Sequence, residues 1–247
     1  MASSGVQCWV VQLMEVDRGG RLKCPSNEWI IMMNSLSKFI PVTFQRPRSS
    51  KRTDLLHACL VNEFIKDNPQ YRDLTWEYEQ ALPDAYNYDK DGNELPRVKS
   101  GKNKGKYKRT FKVDIVGYDE DGVPRVVICA KGLNNNVLQN LFNYMNTTLG
   151  ESDRLLYGPH EDDIEKMYFV TVFPNKTAYF TKNGLIKRIE DVAKRMFDTD
   201  PTYMLKKKHG DKIGVVKYSY DIVDLDNYTH KSQFERGIEY INLQKNE

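Results

Sequence analysis

The stretch 110–132, TFKVDIVGYDEDGVPRVVICAKG, constrains this chain more than any other. Phe111, Val113 and Ile115 alternate with Lys112, Asp114 and Val116. A period of two marks a strand, whose successive side chains point to opposite faces. Asp119, Glu120, Asp121 and Gly122 supply a tight turn. Residues 123–131 then run as a second, mostly apolar strand. With the turn at those four residues, Tyr118 pairs with Val123 and Asp114 falls opposite Val127. Directly opposed residues share a face, so Asp114, Val127, Cys129 and Lys131 point the same way. An acid and a lysine then project together from the centre of an apolar hairpin, where an unpaired charge is costly.

The elements around the hairpin follow from periodicity and capping. Residues 54–66 form a helix, capped by Thr53 or Asp54 and stopped by Asn68-Pro69. Its apolar face carries Leu56, Cys59, Leu60 and Phe64. At about 100° per residue, Glu63 falls within that arc, and it either turns inward or frays outward at the helix end. His57 sits in the first turn, roughly 120° from Glu63 around the axis, and reads as a surface or capping histidine before a metal ligand. Residues 74–82 alternate as a strand. Asn134 starts a second helix that runs to Thr148, with Gly150 as its stop. Residues 167–173 are a nearly continuous apolar strand ended by Pro174, as a buried central strand requires.

An Asp in one strand, then Cys129-x-Lys131 about fifteen residues on, then a helix, resembles the PD-(D/E)xK nuclease superfamily, with Cys129 in place of the usual Asp or Glu. The resemblance spans roughly residues 54–174. It implies an α+β or α/β fold with a restriction-endonuclease-like mixed sheet, in the order helix, strand, strand, strand, helix, strand. It implies a metal-dependent phosphodiester hydrolase using Mg²⁺ or Mn²⁺. Asp114 is the implied metal ligand, Lys131 the implied catalytic lysine, and Glu63 the implied second carboxylate from the preceding helix. Ile128 is added to the metal set through a backbone carbonyl. Cys129 makes a soft ligand, poorly suited to Mg²⁺. The alternative is therefore a catalytically inactive relative that binds nucleic acid or serves in assembly.

Charge distribution adds a partner. Net charge is only +3, but residues 97–109 carry seven basic residues and no acid. Arg97, Lys99, Lys102, Lys104, Lys106, Lys108 and Arg109 would contact the phosphate backbone, and Tyr107 could stack on a base. A solvated charged loop is the plainer reading of such a run. DNA is expected before RNA, and a homodimer stays open.

The four cysteines make no CxxC pair, so neither a zinc site nor a disulfide framework is expected. No apolar run is long enough to span a membrane, and residues 1–16 do not form a secretory signal. An intracellular protein, cytoplasmic or virus-associated, follows as the expectation.

Three regions are expected: an N-terminal element over 1–50, a nuclease-like core over 51–180, and a C-terminal α+β region over 181–247. The first contains a strand over 6–16, an apolar segment over 29–40 and a basic linker over 45–52. In the last, 185–197 reads as an amphipathic helix, 213–225 as a strand and 231–244 as a closing helix.

Overall fold

The computed structural model describes residues 36–45, 50–134, 137–198 and 202–246. The strand expected over 6–16, and the apolar segment before residue 36, lie outside the described residues. Helices α1 (Leu36–Gln45) and α2 (Ser50–Asp67) come first, followed by β1 (Thr75–Pro83), β2 (Thr110–Tyr118) and β3 (Pro124–Gly132). Next are α3 (Val137–Leu156), β4 (Lys166–Pro174), β5 (Lys176–Phe180), β6 (Ile186–Asp191), α4 (Ala193–Asp198) and α5 (Thr202–His209). The strand β7 (Ile213–Ile222), helix α6 (His230–Arg236) and strand β8 (Tyr240–Asn246) close the described chain.

Six strands form one mixed sheet in the order β1-β2-β3-β4-β7-β8. The central pairs β3–β4 and β4–β7 are parallel, and the outer pairs are antiparallel. Strands covered on both faces need apolar residues at nearly every position, which explains runs such as Val126–Ile128–Ala130 alternating with Val127–Cys129. One face packs under α1 and α2 through Phe39, Ile40, Leu56, Leu60 and Phe64, against Ile115, Ile128, Val170 and Val216. On the other face, Val116, Val127, Met167 and Phe169 pack against Leu155 and Leu156 of α3 and Leu205 of α5. Strands β7 and β8 belong to this same sheet, so it continues across residue 180. Among the described residues no helix is long and apolar enough to cross a membrane.

Several local expectations are revised. Helix α3 runs past Gly150 to Leu156. Glycine inside a helix costs only about 1 kcal/mol, and burial of Leu155 and Leu156 outweighs it. Residues 185–197 are not one helix: β6 pairs antiparallel with β5 through a turn at Gly184, φ +78°, and α4 follows. Residues 231–244 are likewise split. Gly237, φ +77°, caps α6, and β8 then pairs with β7.

The hairpin forms over the expected strands, but in a different register. Val127 faces Val116, and Ile128 faces Ile115. Asp119 explains the change. Its Oδ1 accepts the N–H groups of Asp121 at 3.1 Å and Val123 at 2.9 Å, which makes a longer turn that brings Val123 back to Asp119. A bulge next to Gly117 and Tyr118 adds a second residue of offset. An offset of two preserves side-chain parity, so the expected shared parity of Asp114, Cys129 and Lys131 survives.

Candidate metal centre where two strands part

The β1–β2 ribbon changes faces midway. Trp76, Tyr78 and Ile115 pack in the α1/α2 layer, whereas Leu82, Phe111 and Val113 pack in the α3 layer. The pairing register stays constant across the change, from Thr75↔Tyr118 to Pro83↔Thr110. Residues 78 and 82, or 113 and 115, have equal parity and should share a face. The alternation therefore breaks between them, at Glu79 and Asp114. Glu79 has φ +56°, a left-handed conformation that costs a non-glycine residue roughly 1 kcal/mol or more.

Asp114 also marks where β2 leaves β3. The ladder's last pair is Ile115↔Ile128. Beyond it, the N–H of Ala130 donates to Asp114 Oδ2 at 2.7 Å. A carboxylate thus takes the place of a backbone acceptor and is locked in orientation at the split. Helix α2 brings His57 to the same point. Its side chain is fully buried, with its ring 5.5 Å from that of Tyr78. His57, Glu79 and Asp114 offer one nitrogen and two carboxylate donors that all lie within 4.8 Å of one another. An ion with bonds of about 2.1 Å spans about 4.2 Å between opposite ligands, so small side-chain adjustments suffice. Glu79 is meanwhile ion-paired with Lys112.

Lys131 follows Ala130, whose N–H holds Asp114, and its side chain lies on the α3 side. Its Nζ is 3.6 Å from Glu151 Oε1, and the Glu151 side chain is only 13% exposed. Burial, and then Asp114, raise the Glu151 carboxyl above its ordinary range, while Lys131 opposes them. The Cys129 side chain is buried beside these groups and lines one recess with Lys131 and Glu151. Burial pushes its thiol far up, with Glu151 and Asp114 adding to the shift. A thiol is a soft ligand poorly matched to a hard cation, so the buried Cys129 is a poor substitute for the missing acid. Tyr144 of α3 and Thr171 of β4 line the same recess, their hydroxyls 2.6 Å apart.

Asp114 and Lys131 thus act on common neighbours, whereas Glu63 lies elsewhere. It is bonded to Lys66 at 2.6 Å and acts on Tyr218 of β7. It lies six positions beyond His57, about 9 Å along the helix axis. The inward-facing histidine, rather than Glu63, joins Asp114. His57 is accordingly a buried residue and not a surface one. Ile128 is the last β3 residue paired with β2 and is fully buried. Glu79 and Glu151 went unrecognised in the sequence, the first because it falls with Thr75 and Glu77 on the polar side of the expected alternation.

The basic segment is a hairpin-like loop, closed by backbone bonds from the Val98 N–H to the Lys106 carbonyl and from the Gly105 N–H to the Val98 carbonyl. Asn87 clamps Arg109 through two bonds, Nδ2 to its carbonyl at 2.7 Å and Oδ1 from its N–H at 3.1 Å. Arg97 lies over the Tyr107 ring at 4.1 Å and also bonds Tyr107 Oη and Glu94. Those two residues therefore brace the loop beside its closing bonds. Lys99, Lys102, Lys104, Lys106, Lys108 and Arg109 remain exposed. Comparison with protein-family models, curated proteins and solved structures finds no match to this chain.

Proposed function

We propose that this chain is a metal-dependent nuclease hydrolysing phosphodiester bonds, DNA before RNA, on a variant of the restriction-endonuclease-like core. The observation that carries the reading is the convergence of His57, Glu79 and Asp114 where β2 leaves β3, with Lys131 nearby. Two carboxylates suit Mg²⁺ or Mn²⁺, and the imidazole nitrogen tips the preference toward Mn²⁺. A bound divalent ion lowers the pKa of a coordinated water and withdraws charge from a phosphate. Asp114 needs no reorganisation to take part, because the Ala130 N–H already fixes it. Lys131, 36% exposed, brings a positive charge to the recess edge, where negative charge develops on the phosphate.

The test is a cleavage panel of duplex and single-stranded DNA and RNA, with Mg²⁺, with Mn²⁺, and with chelator. Cleavage that requires Mn²⁺ or Mg²⁺ and ceases with chelator is expected. Binding of the same substrates without cleavage favours the second reading, a nucleic-acid-binding relative, for which the buried thiol of Cys129 speaks.

The hairpin's lysines supply the proposed grip on the backbone. Neutralising Lys102, Lys104 and Lys106 together is expected to weaken binding across all sequences. The slope of log affinity against log salt should flatten by about 2–3, at roughly 0.9 per lost duplex phosphate contact. An unchanged slope would make the hairpin an ordinary solvated surface.

A further inference from the structure

The acid position of β3 holds Cys129, yet a carboxylate stands over that thiol. Glu151 reaches it from α3, one turn beyond Thr148 and two beyond Tyr144, all three lining the recess with Lys131. The charged groups that act on the Glu151 carboxyl come from three elements: Lys131 on β3, Asp114 on β2, and Arg154 on α3 itself. Arg154 is committed to Asp84, which leaves Lys131 as the near cation. We infer that Glu151 is a positioning residue for Lys131, supplying from α3 the carboxylate that β3 lacks at Cys129 and holding the ammonium group at the recess edge beside Asp114. This rests on the nuclease reading for its consequence, but not for its geometry.

Three features support it. A side chain 13% exposed is fixed by packing, so its partner inherits a fixed place. Thr148 binds its hydroxyl to the Tyr144 carbonyl at 2.9 Å, and the Tyr144 hydroxyl is tied to Thr171 on β4. The helix face bearing Glu151 is therefore anchored to the sheet beside Lys131. Thr171 is also the direct β4 neighbour of Lys131 in the parallel ladder, so both ends of the contact share one rigid row.

The experiment compares wild type with Glu151→Gln, Glu151→Asp and the double variant Cys129→Glu/Glu151→Gln, each checked for folding by thermal melt. Two readouts are taken. The first is single-turnover cleavage. The second is the acylation rate of Lys131 relative to exposed Lys182, mapped by peptide mass, which needs no activity. Glu151→Gln is expected to lose about 10–100-fold in cleavage rate, the usual effect of removing a group that orients an active residue. Its Lys131 should acylate faster, because the ammonium is released. The double variant returns the carboxylate from β3, and should recover most of the cleavage rate and slow Lys131 acylation back toward the wild-type value. Glu151→Asp should fall between wild type and Glu151→Gln, and takes the place of the double variant if that one does not fold. An unchanged Lys131 acylation rate in Glu151→Gln overturns the inference whatever the cleavage result. If the wild-type chain cuts no substrate, the nuclease reading falls, and the acylation rates alone decide whether Glu151 holds Lys131.

Discussion

Asp114→Asn is expected to lower metal-dependent cleavage by at least about a hundredfold while leaving the melting temperature in metal-free buffer nearly unchanged. The two expectations separate because the residue has two jobs. Its carboxylate accepts the Ala130 N–H at 2.7 Å, and an asparagine oxygen can accept that bond equally well. The strand split is therefore retained. The lost charge is another matter. Asp114 is the acid common to both sides of the centre, grouped with His57 and Glu79 and acting on Glu151 and Cys129. In the proposed role, loss of a charged group that binds the cation and faces developing charge costs on the order of 10²–10³-fold or more in rate. Single-turnover cleavage beside a chelator control reads the loss. A variant that cuts at wild-type rate places the chemistry elsewhere.

The largest expected effect on stability lies at the base of the basic hairpin. The side chain of Asp84 is completely buried, and it pairs with Arg154 of α3 through Nη2 and, at 3.1 Å, through Nε. Arg154 also covers the Phe111 ring at 4.6 Å. Among the described residues, Arg154→Ala leaves the buried carboxylate with only the Tyr86 N–H, at 3.1 Å, as its remaining side-chain bond. Breaking a buried pair from one side costs about 3–5 kcal/mol. The arginine is one-third exposed, so the lower end of that range, about 3 kcal/mol, applies. Asp84→Asn should cost less, because the released guanidinium can rehydrate. The fall in urea midpoint at constant m-value measures both. Equal costs for the two would contradict this assignment of the buried partner.

How much of this could be read from residues alone depends on which rule each element obeys. The β2–β3 hairpin was legible because alternation is a local signal, and Asp114 and Lys131 stood out as charges within it. Its register was not, because one carboxylate, Asp119, lengthens the turn and a bulge offsets the ladder again. Glu79 was hidden for a related reason. Strict alternation places it with Glu77 on the outer face, and a positive φ at a glutamate has no sequence signature. His57 was misjudged because the apolar arc of α2 was drawn from Leu56, Cys59, Leu60 and Phe64. The real arc is wider and takes in Val61 and His57. Glu151 was lost when Gly150 was read as a helix stop, though two buried leucines carry α3 onward. Where hairpin pairing competes with a helical period, as at β6 and β8, the long-range partner decides and the period misleads.

Titration of wild type, His57→Ala, Glu79→Gln and Asp114→Asn with Mn²⁺, followed by the shift in unfolding free energy, tests the three-residue centre without any substrate. Binding to the native state alone stabilises by about 2.7 kcal/mol at a hundred times the dissociation constant. Wild type should approach that gain, Asp114→Asn should show none, and the other two should need far more Mn²⁺ to reach it. A wild-type chain that Mn²⁺ does not stabilise, or a gain that survives in all three variants, would contradict a metal centre built from His57, Glu79 and Asp114.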